Sequence, residues 1–130
     1  MLAMIRRRKP TDAELAILRV LWQRGPSTVR EVVEEMRHQG AYTTVLKTLQ
    51  IMTEKGLVRR NEDERTHVYE AAASQSSTQK QLVSDLMHRA FDGSAAKLVL
   101  QALQAGTTSP DELEEIRRLL ETHGRKKGGR

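Results

Sequence analysis

The sequence predicts a mainly α-helical chain with one small β-hairpin, and three observations carry that expectation. Val45, Leu49 and Met52 recur at i, i+4, i+7, the stripe that a helix buries. Directly after it the apolar period switches to two: Leu57-Val58-Arg59-Arg60 and Thr66-His67-Val68-Tyr69 read as strands joined by the polar turn 61–65. Further helical stripes stand before and after this block. A helix followed at once by a hairpin is how a winged helix-turn-helix presents itself, so 10–73 are expected to form such a domain. A helical region is expected over 74–123, a disordered basic arm over 1–9 and a flexible basic tail over 124–130.

In chain order, Arg6-Arg7-Arg8-Lys9 has no apolar pattern to fix it. Thr11 then caps a helix with Glu14 three residues on, a capping box. Leu15, Leu18, Leu21 and Trp22 form its buried face and Gly25-Pro26 stops it; Trp22 reads as core rather than as a ligand-stacking ring. Ser27 or Thr28 begins the second helix with Glu31 placed for another capping box. Val29, Val32, Val33 and Met36 make its stripe, Glu34, Glu35 and Arg37 face out, and Gly40 ends it. The Glu34–His38 pair reads as a solvated face, since neither has a further partner for metal or acid–base chemistry.

The third helix starts at Tyr42 or Thr43, with a hydroxyl available as cap, and ends at Gly56. At 3.6 residues per turn, Thr43, Lys47, Gln50 and Glu54 lie opposite its apolar stripe. Hydroxyls, an amide and a cation on one face are groups that reach base edges and phosphates. In the hairpin, alternation points Val58, Val68 and Leu57 inward and leaves Arg59, Arg60 and Arg65 towards nucleic acid. His67 reads as a structural strand residue. The acidic turn Asp63-Glu64-Arg65 suits few phosphate contacts.

Ser74 to Ser77 can cap a helix over about 78–91, with Leu82, Val83, Leu86, Met87 and Ala90 as its apolar strip. Asp92-Gly93-Ser94 breaks it, and Ser94 caps a helix carrying Leu98, Val99, Leu100, Ala102 and Leu103. Ser109-Pro110-Asp111-Glu112 opens the last helix with cap, proline and acids in the expected order, and Leu113, Ile116, Leu119 and Leu120 form its stripe. Three short amphipathic helices have too little to bury within one chain, so a second copy is expected. The dimer surface would take Leu82, Leu86, Phe91, Leu98, Val99, Leu103, Leu113, Ile116 and Leu120.

Composition narrows the function classes. The 130 residues allow one compact domain, or a small domain with an assembly element. Aromatics at 3% argue against a large self-sufficient core. Residues 1–72 carry 13 Lys/Arg against 10 Asp/Glu, residues 73–123 carry 5 against 7, and 124–130 add 4 basic residues. That split fits a DNA-binding front and a protein-binding back. With no cysteine there are no disulfides and no thiolate metal sites. The opening Met1-Leu2-Ala3-Met4-Ile5-Arg6 has its charges after a short apolar piece, the reverse of a secretory signal. No apolar run approaches the ~18 residues of a membrane span. The expectation is a cytoplasmic, non-enzymatic protein without cofactor or membrane insertion, since there is no Gly-rich phosphate loop and no metal-ligand spacing.

Tyr42-Thr43-Thr44-Val45-Leu46-Lys47-Thr48-Leu49, Lys55-Gly56-Leu57-Val58-Arg59-Arg60 and Thr66-His67-Val68-Tyr69 together resemble the penicillinase-repressor family, the BlaI and MecI group. The likeness extends upstream to Thr11-Asp12-Ala13-Glu14 and Leu21-Trp22, and downstream to Phe91-Asp92-Gly93-Ser94 and Leu113-Glu114-Glu115-Ile116. It implies a homodimeric bacterial winged-helix repressor of antibiotic-response or related stress genes that binds pseudo-palindromic operator DNA. The implied reading surface is Thr43, Thr44, Leu46, Lys47 and Gln50, with Arg59, Arg60 and Arg65 from the hairpin. Ile51 stands where many relatives carry a basic residue. The resemblance also implies release through a membrane-bound sensor–protease system that cuts the penultimate helix. The matching stretch is Val99-Leu100-Gln101-Ala102-Leu103, in which Gln101-Ala102 departs from the Asn-Phe pair of the best-known relatives. Metal-responsive relatives carry a C-terminal cysteine motif that this chain lacks. The alternative, from another class, is a winged-helix protein–protein adaptor without sequence-specific DNA binding; the salt dependence of binding to bulk DNA separates the two.

Overall fold

A computed structural model describes residues 9–37, 40–63 and 65–128. Among them are six helices and a two-stranded antiparallel sheet: α1 (Asp12–Arg24), α2 (Val29–Met36), α3 (Tyr42–Lys55), β1 (Val58–Asn61), β2 (Val68–Ala71), α4 (Gln75–Ala90), α5 (Ala95–Ala105) and α6 (Pro110–Gly128). This is a winged helix-turn-helix followed by further helices. The basic arm up to Arg8, His38 of the Glu34–His38 pair, and Glu64 of the turn lie outside the described residues.

Two compact units divide the chain, Met1–Ser84 and Asp85–Arg130. The division falls inside α4, whereas the sequence places the boundary at the end of the hairpin. In the first unit, Thr11 caps α1 by accepting from Glu14 N, and Glu14 returns to Thr11 N at 2.9 Å. Thr28 and Glu31 repeat the device at α2. Each reciprocal pair satisfies two backbone donors that a helix start leaves unpaired.

The core gathers Ile17, Leu18 and Leu21 of α1, Val29 and Val32 of α2, Val45, Leu49 and Met52 of α3, then Leu57, Val58 and Tyr69. Burying each such side chain contributes roughly 1.5–3 kcal/mol before conformational entropy is subtracted. Trp22 packs against this core half-buried, and its Nε1 donates to the Ala73 carbonyl at 2.9 Å.

Several local expectations are corrected. On α1 Ile17 joins Leu18 and Leu21 in the buried face, while Leu15 is only half-buried. Helix α2 ends at Met36, before Gly40, because Arg37 turns to a positive φ of 55°. Helix α3 is capped by Ala41 without a side-chain hydrogen bond, so neither Tyr42 nor Thr43 supplies the cap. The second strand starts two residues later than its apolar pattern suggests, and Tyr69 is its inward residue in place of Val68. The reason is a backbone partner remote in sequence. Tyr69 N donates to Ser27 O at 2.8 Å and Ser27 N to Tyr69 O at 2.9 Å, so the α1–α2 connection forms a single antiparallel bridge to β2. This fixes Tyr69 in a register with Arg60 opposite it on β1.

In the second unit, α5 is capped by Ser94, which accepts from Lys97 N, and α6 by Ser109, which accepts from Glu112 N at 3.1 Å. The described helix α6 continues to Gly128, so 124–128 are helical where a flexible tail was expected. Arg125 falls near its C-terminus, where a cation complements the negative end of the helix dipole. No described residue from Asp85 onwards is buried. Among the described residues no helix is long and apolar enough to cross a membrane.

Candidate nucleic-acid interface

Helix α3 presents two faces of opposite chemistry. Val45, Leu49 and Met52 are buried on one side, and Thr43, Thr44, Lys47, Gln50 and Glu54 are exposed on the other. Leu46 differs from the rest of the predicted surface: it is half-buried and packs against the core at the helix flank. Close approach of the preceding turn is possible because position 40 is glycine; a Cβ there would meet Val45 Cγ2 at 3.3 Å.

The C-terminal end of α3 is tied down. Gly56, at φ 82°, donates back to the last turn, and Leu57 N donates to Met52 O at 2.9 Å. Lys55 Nζ lies 2.8 Å from Oε2 of Glu14, which is only 3% exposed. Burial alone would raise the Glu14 carboxyl. The Lys55 ammonium, together with the backbone and hydroxyl of Thr11, outweighs it and holds the group below its usual range. The capping motif at residue 14 was legible in the sequence; its partner 41 positions away was not.

The hairpin arginines do not act alike. Arg59 pairs with Glu70 at 3.2 Å, and Arg60 with Glu62, its Nε 2.9 Å from the carboxylate. Glu62 and the Tyr69 hydroxyl both raise Arg60, and Arg60 in turn lowers Glu62. Both arginines thus carry carboxylate partners, in exposed pairs of the kind that contributes little to stability. Arg65 lies elsewhere. It lines a cleft together with Thr28 and Arg30 from the start of α2, Tyr42 and Leu46 from the start of α3, and His67. The structure therefore joins Arg65 to the start of α3 and adds Arg30, a residue that the sequence pattern did not single out. Its signal was present: a cation two residues after a helix cap. His67 is exposed and precedes β2, so it is not a strand residue.

The expected assembly residues divide by burial. Leu86, Val99, Leu103, Leu113 and Leu120 are exposed, and Leu82, Phe91, Leu98 and Ile116 are partly covered. Leu119 at 62% exposure and Leu120 at 63% continue a strip with Ile116 along α6. Gln101 and Ala102 are exposed within α5. Among the described residues no group of three or more His, Cys, Asp or Glu side chains could hold a metal ion.

Comparison with known proteins agrees with this architecture. Residues 10–122 match the model of the penicillinase repressor family. The chain belongs to that family. Its relatives include the penicillinase repressor of Bacillus licheniformis, 26% identical over 121 residues, a match covering 90% of this chain and 93% of that protein. The transcriptional regulator BlaI of Mycobacterium tuberculosis is 33% identical over 112 residues, covering 84% of this chain and 80% of that protein. The methicillin resistance regulatory protein MecI of Staphylococcus aureus is 21% identical over 112 residues. The family is one of transcriptional repressors, not of enzymes.

Proposed function

We propose that this chain is a homodimeric transcriptional repressor that binds pseudo-palindromic operator DNA with α3 in the major groove, in the cytoplasm, and controls antibiotic-response or related stress genes. The observation that carries the reading is the exposed row Thr43, Lys47, Gln50 on a helix whose opposite side is buried in the core. Two such helices related by a two-fold axis would reach successive major grooves. Thr44 borders the row, Leu46 closes its flank, and Arg59, Arg60 and Arg65 serve the sugar-phosphate backbone. The second copy would cover the apolar strips of α4, α5 and α6, whose leucines, isoleucine and valines are exposed or only partly covered among the described residues. Release would follow cleavage at Gln101-Ala102 by a membrane sensor–protease system, since loss of α6 removes dimer surface without touching α3.

Gel-shift titrations at two salt concentrations test the DNA reading. Phosphate neutralisation gives a log–log slope of about −0.9 per contact. A protein–protein adaptor that does not bind DNA would show no retained duplex at either salt.

A further inference from the structure

Beside the polar row, α3 carries a second ridge. Thr44, Thr48 and Ile51 follow at i, i+4, i+7 and so share one flank of the outward face. The Thr48 hydroxyl donates to the Thr44 carbonyl at 2.9 Å, so its hydrogen is spent inside the helix. Ile51 is 42% exposed and is a large aliphatic residue on a face otherwise made of hydroxyl, amide and charged groups. One turn before it stands Lys47, the cation best placed to keep the helix in a polyanionic groove.

We infer that Ile51 is a specificity-determining residue that packs on a thymine 5-methyl group in the major groove. This rests on the proposed DNA-reading role of α3. The thymine methyl is the one apolar feature on a base edge in that groove, and an aliphatic side chain is its natural complement. Lys47 and Gln50 then select by hydrogen bond, and Ile51 selects by exclusion of water from a methyl pair. The same contact rejects cytosine at that position, which offers an amino group and no methyl. Because the contact is uncharged, it adds sequence preference without adding to the salt dependence of binding.

The test begins with selection of preferred sites from a random duplex library by the full-length protein. Each thymine of the selected half-site is then replaced singly by deoxyuridine, which removes only the methyl, and affinity is read by fluorescence anisotropy. Wild type is expected to lose about fourfold at one position per half-site, the factor that burial of one methyl carries. The loss should be equal at low and high salt. Ile51→Ala should bind the thymine and deoxyuridine duplexes equally, while Ile51→Val, which keeps the β-branched apolar side chain and loses only the δ-methyl, should retain most of the difference. Equal binding of every deoxyuridine duplex by wild type overturns the proposal, as does an Ile51→Ala protein that keeps the full thymine preference. Failure of selection to enrich any sequence overturns the underlying reading of α3 and the proposal with it.

Discussion

Lys55 Nζ and Glu14 Oε2 stand 2.8 Å apart, joining the last turn of α3 to the first turn of α1. Glu14 is buried, Lys55 is partly exposed, and the same carboxylate closes the α1 capping box. This pair ties the end of the proposed reading helix to the scaffold, and it makes the stability of the fold depend on pH.

Glu14 lies below its ordinary range in the folded protein, so its contribution is fully present above the unfolded value and is lost as pH falls through the folded one. Lys55→Met should remove the ammonium and leave the buried Glu14 carboxylate with only Thr11 to offset its burial, so its carboxyl should rise relative to wild type. The variant should be less stable than wild type by about 1–3 kcal/mol at neutral pH. Below about pH 4 the gap should narrow, because protonated Glu14 no longer needs the partner. Urea melts across this range check it; a gap independent of pH would show that the carboxylate charge is not what Lys55 serves.

Assembly gives the second prediction. Ile116→Glu places a charge in the apolar strip of α6 beside Leu119 and Leu120. Sedimentation should show a monomer, where wild type is proposed to be a dimer. Affinity for a single half-site should be unchanged, and affinity for a full palindrome should fall by roughly 10²–10⁴, the usual range of avidity from linking two heads. A full-length wild-type protein that sediments as a monomer at micromolar concentration would contradict the dimer.

Much of the fold was readable because local rules carried it. The Thr11–Glu14 and Thr28–Glu31 boxes, Ser94 and Ser109 are short-range devices, and each stands where the residues place it. What escaped depends on contacts distant in sequence. The register of β2 follows from Ser27 pairing with Tyr69, and Trp22 finds Ala73 across 51 positions. Periodicity says which face of a helix is apolar, but it does not say that Glu14 will meet Lys55 or that Arg30 and Arg65 will line one cleft. The outward row of α3 was legible for the opposite reason, since a single helix fixes it without help.

Release supplies the third prediction. Gln101 and Ala102 are exposed but helical, so a protease needs α5 to open locally. Immunoblots of the native host before and after β-lactam exposure should show a shortened band as target genes switch on. Substituting Gln101-Ala102 with Pro-Pro would melt the helix by itself, so Ala102→Glu, which keeps helix propensity, is the better block and should leave the genes repressed. Induction with the full-length band intact would exclude proteolytic release.

If α3 reads DNA, Lys47 is the side chain whose removal shows it. Lys47 is exposed in the middle of the outward row, so Lys47→Ala should leave the fold and its melting behaviour unchanged. Affinity for the selected operator should be measured beside that for a random duplex, each at several salt concentrations. A base contact predicts a loss of roughly 1–3 kcal/mol on the operator and little on random DNA. A phosphate contact predicts an equal loss on both and a salt slope smaller by about one unit. A folded Lys47→Ala protein with wild-type affinity and wild-type slope on both duplexes would take α3 out of the interface.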